Sequence, residues 1–163
     1  MSYVSSVSGT CSDSSTRPDN SDAYIALDVV GTAATSTMTF TGVHQVNGGH
    51  FIIMGASLRV DVSAVPSGMG AFRLHLYSAS PTAIADNAAF NLPAADRSKY
   101  LGYIEFDTPT DIGDTLYTAK ENINMKRQLA SDSTTIYGML QTVNAFTPSA
   151  STVKTVKLHI VGA

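Results

Sequence analysis

The chain has 163 residues, enough for one domain with a sizeable core, and a formal net charge of -3 at pH 7. Charged residues are only 14% of it, against a usual ~25%, and Ser and Thr fill the gap, so the surface is neutral and hydroxyl-rich. That balance excludes nucleic acid as an expected partner, which needs clustered Lys and Arg, and no basic amphipathic helix offers itself to a membrane surface.

The single cysteine, Cys11, excludes an intrachain disulfide and a multi-Cys zinc site. Residues 1–20 are polar and lack the apolar stretch of a signal peptide, which predicts a protein made and used without Sec export. No apolar run approaches the ~20 residues of a membrane span.

Residues 1–22 (MSYVSSVSGTCSDSSTRPDNSD) stand apart. Eight are Ser, and Gly9 and Pro18 interrupt any regular pattern. Such a stretch buries too little apolar surface to order itself, and it reads as a flexible N-terminal arm. Tyr3, Val4 and Val7 give it apolar points, and Arg17 a cationic one, that can dock on a neighbouring subunit or partner. The alternative is a terminus with no partner at all.

The β pattern starts at Ala23. Tyr24 to Val30 is rich in β-formers and stops at Gly31, which predicts one strand. Thr37 to Thr41 alternates, with Met38 and Phe40 on one face. Asn47-Gly48-Gly49 signals a turn, and Phe51 to Met54 follows, with Gly55 marking a bulge or bend. Ala56, Leu58, Val60 and Val62 share a face, opposite Arg59 and Asp61. Phe72, Leu74 and Leu76 then alternate with Arg73, His75 and Tyr77, the cleanest period-2 signal in the sequence.

Residues 82–100 break the pattern and read as a long crossover, with Pro93 opening a short helix over 94–99. Strands return at 103–106 and 116–118. In 120–129, Ile123, Met125, Arg127 and Leu129 alternate with polar residues, which suits a strand, although a short helix fits as well. Residues 135–140 and the closing Val156, Leu158 and Ile160 complete eight or nine strands. The prediction is an all-β fold: a jelly-roll-like two-sheet antiparallel β-sandwich over 23–163, with an extended arm over 1–22.

No chemistry is written into the strands. His44, His50, His75 and His159 form no HxH or HExxH spacing, and His75 and His159 occupy slots expected to face outward. Asp111 and Asp114 flank Ile112-Gly113, as turn chemistry requires. Calcium-loop, GxSxG and phosphate-loop motifs are missing. Cys11 has no neighbour that would activate its thiol. No catalytic residue, cofactor or metal is expected, and the chain does not read as an enzyme. Tyr77, Tyr103 and Tyr137 are candidates for outward-facing aromatics, either at subunit contacts or on a glycan-binding face.

Three stretches carry a family resemblance. The first is Thr16-Arg17-Pro18 with Ala23-Tyr24 and Asp28-Val29-Val30-Gly31. The second is Phe72 to Tyr77 followed by Ser80-Pro81. The third runs from Ala85-Asp86-Asn87-Ala88-Ala89-Phe90 through Ala95-Asp96 to Tyr100-Leu101-Gly102-Tyr103-Ile104. In this order they resemble the head decoration, or cement, proteins of tailed bacteriophages, over roughly residues 16–145. Ile25-Ala26-Leu27 departs from the resemblance, which implies a smaller, Gly-containing turn there.

The resemblance implies a virion structural protein on the capsid exterior, made in the host cytoplasm. Its implied partners are the major capsid protein and further copies of itself; such proteins sit at symmetry axes, so a closed homo-oligomer is expected, a trimer before a dimer. Many weak contacts repeated by symmetry would supply avidity. It implies no catalytic residue. The competing expectation is a glycan- or receptor-binding jelly-roll module of a tail fibre or head fibre.

Overall fold

The structure is a computed structural model and describes residues 8–163. The described residues form eleven strands in two antiparallel sheets. The first holds β1 (Ser8–Thr16), β11 (Val153–Gly162), β4 (His50–Val60), β8 (Leu116–Lys120) and β7 (Thr110–Asp111), in that order, with β9 (Met125–Gln128) also paired to β4. The second holds β2 (Val29–Val30), β10 (Ile136–Thr142), β5 (Phe72–Tyr77) and β6 (Tyr100–Phe106), with β3 (Thr37–Phe40) also on β10. The chain changes sheet between β1 and β2, β3 and β4, β4 and β5, β6 and β7, β9 and β10, and β10 and β11. This alternation is the jelly roll.

Period-2 alternation builds the core. Phe72, Leu74 and Leu76 of β5 face Phe51, Ile53, Leu58 and Val60 of β4, together with Val156, Leu158 and Ile160 of β11, all buried. In β4 the inward phase shifts from Phe51 and Ile53 to Ala56, Leu58 and Val60. The ladder to β11 slips between His159 and Ile160, leaving Met54 as the extra residue of a bulge beside Gly55. A second bulge inserts Leu101 into β6 and leaves Gly102 at φ 106°.

The 120–129 segment is extended. β8 ends at Lys120, β9 starts at Met125, and Asn122 (φ 55°) and Asn124 (φ 54°) turn the chain between them, which rules out the helix. Only one short 3-10 turn, Ala94–Asp96, follows Pro93 in the crossover.

Three expectations change. First, residues 8–16 are not part of a loose arm: they form β1, paired with β11 along its whole length from Ser8↔Val161 to Thr16↔Val153. An edge strand needs little apolar surface, because its partner strand satisfies the backbone and only one face meets the core. Cys11 turns inward, the Ser14 hydroxyl bonds that of Thr155 at 2.7 Å, and Asp13 Oδ2 accepts the Thr39 N–H across the sandwich at 2.7 Å. Tyr3, Val4 and Val7 lie outside the described residues.

Second, 24–30 is not one strand. Tyr24 makes a single bridge to Phe146, residues 25–27 turn with Leu27 at φ 72°, and only Val29–Val30 pairs with β10. The Asp28 carboxylate closes that turn by accepting the Ile25 N–H at 2.8 Å, which overrides the β propensity. Third, part of the outer face of the second sheet is covered. The crossover lays Ile84, Phe90 and Leu92 over Val29, Tyr77 and Met139, so His75 and Tyr77 are buried although their strand slots point outward.

Candidate functional site

Arg17 is the centre of a buried polar node. It follows β1, and its side chain is fully buried. Its Nε donates to the Tyr24 hydroxyl at 2.9 Å and lies 3.5 Å from Asp86 Oδ2. Nη1 donates to the Asn20 carbonyl and Nη2 to that of Asp22 at 2.7 Å, and the guanidinium lies 4.9 Å from the centre of the Tyr24 ring. The Tyr24 hydroxyl in turn donates to Asp86 Oδ1 at 2.6 Å, and that oxygen also accepts the Gly31 N–H at 2.9 Å. Burial, then the Asp86 carboxylate, push the Tyr24 phenol well above its ordinary value. Arg17, read from the sequence as an interaction residue, therefore clamps the β1–β2 connection to the crossover. A side chain that keeps all its charge off the surface is a staple rather than a contact.

Lys154 lies on the inward face of β11, 1% exposed. Burial pulls its amine down to about 8, which the Asp86 charge partly offsets and the Arg17 charge reinforces. The sequence gives no signal for this: Lys154 falls on the same alternating face as Val156, Leu158 and Ile160 of a strand whose other polar residues point out.

A second node holds the crossover on the other sheet. His75 Nε2 donates to Gln141 Oε1 at 2.9 Å, and its Nδ1 accepts the Tyr100 hydroxyl at 2.9 Å; the Gln141 oxygen fixes that tautomer. Its ring stacks on Phe90 at 3.8 Å and 15°. Desolvation lowers the His75 pKa. Asp96 is anchored similarly: Oδ2 accepts the Thr82 N–H at 2.8 Å and Oδ1 the Lys99 amine at 3.2 Å, and that backbone donor, with Lys99, holds its carboxyl low.

Thus Arg17, Tyr24, Asp86, His75 and Tyr100, all within the stretches that carry the family resemblance, converge on two structural nodes, and Asp96 of the same stretches ties the crossover to itself through Thr82 and Lys99. The two nodes close the crossover onto the sandwich.

The outer face of the first sheet carries an open surface. Tyr117 on β8, Arg59 and Ser57 on β4, and Thr155, Lys157 and His159 on β11 line a shallow depression there. Tyr117 is 43% exposed, and Arg59 pairs with Asp61 at 2.8 Å. Of the tyrosines singled out in the sequence, Tyr103 is exposed, Tyr137 half-buried and Tyr77 buried. Asp111 Oδ1 accepts the Gly113 N–H at 2.9 Å, which is turn chemistry. Among the described residues no group of three or more His, Cys, Asp or Glu is placed to hold a metal ion. The Cys11 thiol faces the core, where burial pushes it up to about 11, far from nucleophilic.

No family model and no curated protein matches the chain. Among solved structures, a capsid chain of Ralstonia phage GP4 is similar over 100% of this chain and 89% of that one, at 12% identity and a TM-score of 0.45. A chain of the cyanophage Pam1 capsid asymmetric unit is similar over 99% and 89%, at 10% identity and a TM-score of 0.36. The K3 cleaved adhesin domain of Lys-gingipain from Porphyromonas gingivalis is similar over 94% and 74%, at 10% identity and a TM-score of 0.33. Likeness at this level says nothing of what the chain binds.

Proposed function

We propose that this chain is a virion structural protein that decorates a phage capsid, binding the major capsid protein on the exterior as a homo-oligomer, a trimer before a dimer. The observation that carries the reading is the agreement between the family resemblance and the fold: the residues that carry the likeness are the ones that staple the crossover to the sandwich. A cement protein needs a rigid body with broad surfaces for repeated contact, and two buried polar nodes in a jelly roll supply rigidity without a reaction centre. Of the arm expected over 1–22, only the part before β1, with Tyr3, Val4 and Val7, is kept here as the proposed docking segment, residues 1–7. Deleting them weakens particle binding and leaves the melt of the sandwich unchanged.

The test is a thermal and chelator challenge of particles assembled with and without the chain. Decorated particles survive higher temperature, and adding purified protein back restores the difference. Equal survival of bare and decorated particles removes the stabilising role.

A second reading, a glycan- or receptor-binding module, is favoured by one observation. Exposed Tyr117 stands beside Arg59, Lys157, His159 and the hydroxyls of Ser57 and Thr155, an aromatic platform with donors around it. Reproducible binding on a glycan array, lost in Tyr117→Ala, would move the assignment to it.

A further inference from the structure

Strand register places a small recess on the outer face of the first sheet. Ser57 of β4 stands between Lys157 of β11 and Ala119 of β8, and one step along the same face Arg59 stands between Thr155 and Tyr117. Residues of one face lie about 7 Å apart along a strand and about 5 Å apart across the ladder, so the short side chains of Ser57 and Ala119 leave a hollow among longer ones. Lys157, Arg59 and Tyr117 rise around it, and Tyr117 is 43% exposed. Gly55, the next residue on this face, keeps the floor low on the other side: a Cβ there would lie 3.8 Å from both the His159 ring and the Glu121 carboxylate. The hollow holds about 220 Å³, less than the ~300–1,000 Å³ of a drug-sized ligand, which leaves room for one small polar unit.

Two groups in the hollow lack partners. Ser57 is only 8% exposed, yet its hydroxyl makes no hydrogen bond among the described residues, and it borders the hollow. A hydroxyl sunk this deep is ordinarily bonded within the protein. Lys157, directly across the ladder from Ser57, makes no ion pair among the described residues. Arg59, by contrast, is held by Asp61 at 2.8 Å. An unpaired ammonium beside an unbonded hydroxyl suits an oxyanion, because both groups donate and the ammonium makes a charge-assisted bond. Tyr117 adds a flat ring with a polar tip at the side, a surface on which the C–H face of a sugar stacks. At the Gly55 end, the His159 ring and the Glu121 carboxylate offer partners to hydroxyls.

The geometry points to an anionic sugar unit as the ligand of this recess, with its carboxylate or phosphate between Lys157 Nζ and the Ser57 hydroxyl, its ring against Tyr117, and its hydroxyls towards His159 and Glu121. A neutral sugar leaves Lys157 and Ser57 as they are, and a bare anion leaves Tyr117 unused. The assignment rests on the glycan-binding reading given above and is independent of capsid binding.

Titration of the isotope-labelled full chain at pH 7, followed through the amide signals of Ser57, Lys157 and Ala119, tests it. D-glucuronate or D-glucose 6-phosphate shifts these signals saturably, and the two arms tell a carboxylate ligand from a phosphate one. D-glucose and inorganic phosphate bind at least about tenfold more weakly, a difference of about 1.4 kcal/mol. Ser57→Ala, Lys157→Gln and Tyr117→Ala each weaken the sugar at least about fivefold with the rest of the spectrum unchanged. Lys126→Gln, which removes an exposed lysine of β9, leaves binding as it was. No saturable shift with either anionic sugar, or unchanged binding in Ser57→Ala and Lys157→Gln, overturns the site. Inorganic phosphate bound as tightly as the sugars identifies an adventitious ion only and overturns it too. Glucose bound as tightly as glucuronate overturns the anionic unit, and if Tyr117→Ala then abolishes that binding, the glycan-binding reading stands without it.

Discussion

Replacing Lys154 by Met is expected to stabilise the protein at neutral pH. Lys154 is 1% exposed on the core face of β11, and burial pulls its amine from an ordinary 10.5 to about 8. At about 1.4 kcal/mol per pH unit, that difference corresponds to about 3 kcal/mol held against the folded state while the amine is charged. The sign follows from proton counting. Between about pH 8 and 10.5 the unfolded chain keeps a proton on Lys154 that the folded chain has released, so stability rises with pH there. Below about pH 8 both states are charged and the full cost stands. Methionine has nearly the same shape and no charge, so Lys154→Met gains roughly 1–3 kcal/mol at pH 7, less whatever packing is lost.

Cys11 and Tyr24 act in the opposite direction. Burial pushes the Cys11 thiol to about 11 and the Tyr24 phenol upward, so the folded state holds protons that the unfolded state loses, and stability falls above about pH 9. The two proteins are therefore compared with each other at every pH. Urea unfolding followed by tyrosine fluorescence suits a chain without Trp. The gap between Lys154→Met and wild type is largest at pH 7 and closes as pH approaches 10. A variant less stable than wild type at pH 7, or a gap constant from pH 7 to 10, refutes the reasoning.

Tyr24→Phe removes the hydroxyl that accepts from Arg17 and donates to Asp86; with bonds to charged groups worth about 1.5–3 kcal/mol each, and the Arg17–Asp86 pair free to close from 3.5 Å, a loss of about 2–3 kcal/mol is expected in denaturant melts. Leu27→Gly relieves a left-handed leucine at φ 72°, gaining about 1–2 kcal/mol and giving back about 0.5–1 to chain entropy, so the melting temperature rises or stays level. His75 is kept neutral by burial in the folded state, so stability is full above about pH 6.5 and declines as pH falls below it, where the unfolded chain takes up the proton. His75→Gln loses that part of the acid slope, which melts at pH 7 and 5.5 will show.

The strands with a strong period were legible in the sequence. Phe72, Leu74 and Leu76 against Arg73, His75 and Tyr77 fixed both the strand and its core face, because side chains in a strand alternate whatever the sheet later packs against. The same signal placed Met38 and Phe40 and Val156 to Ile160, and the turn chemistry at Asp111–Gly113 held; over 120–129 it left strand and helix both open, and the structure gives a strand only at Met125–Gln128. What an outward slot meets is a tertiary matter: His75 and Tyr77 are buried because the crossover that follows their strand folds back and lays Ile84, Phe90 and Leu92 against that face. β1 was illegible for a related reason. An edge strand of Ser and Thr is stabilised by its partner's backbone, which leaves no hydrophobic pattern to read. Arg17 shows the limit most plainly. Its role as a staple depends on Asp86, 69 positions away, and on Tyr24 standing between them, a proximity that only the closed jelly roll creates.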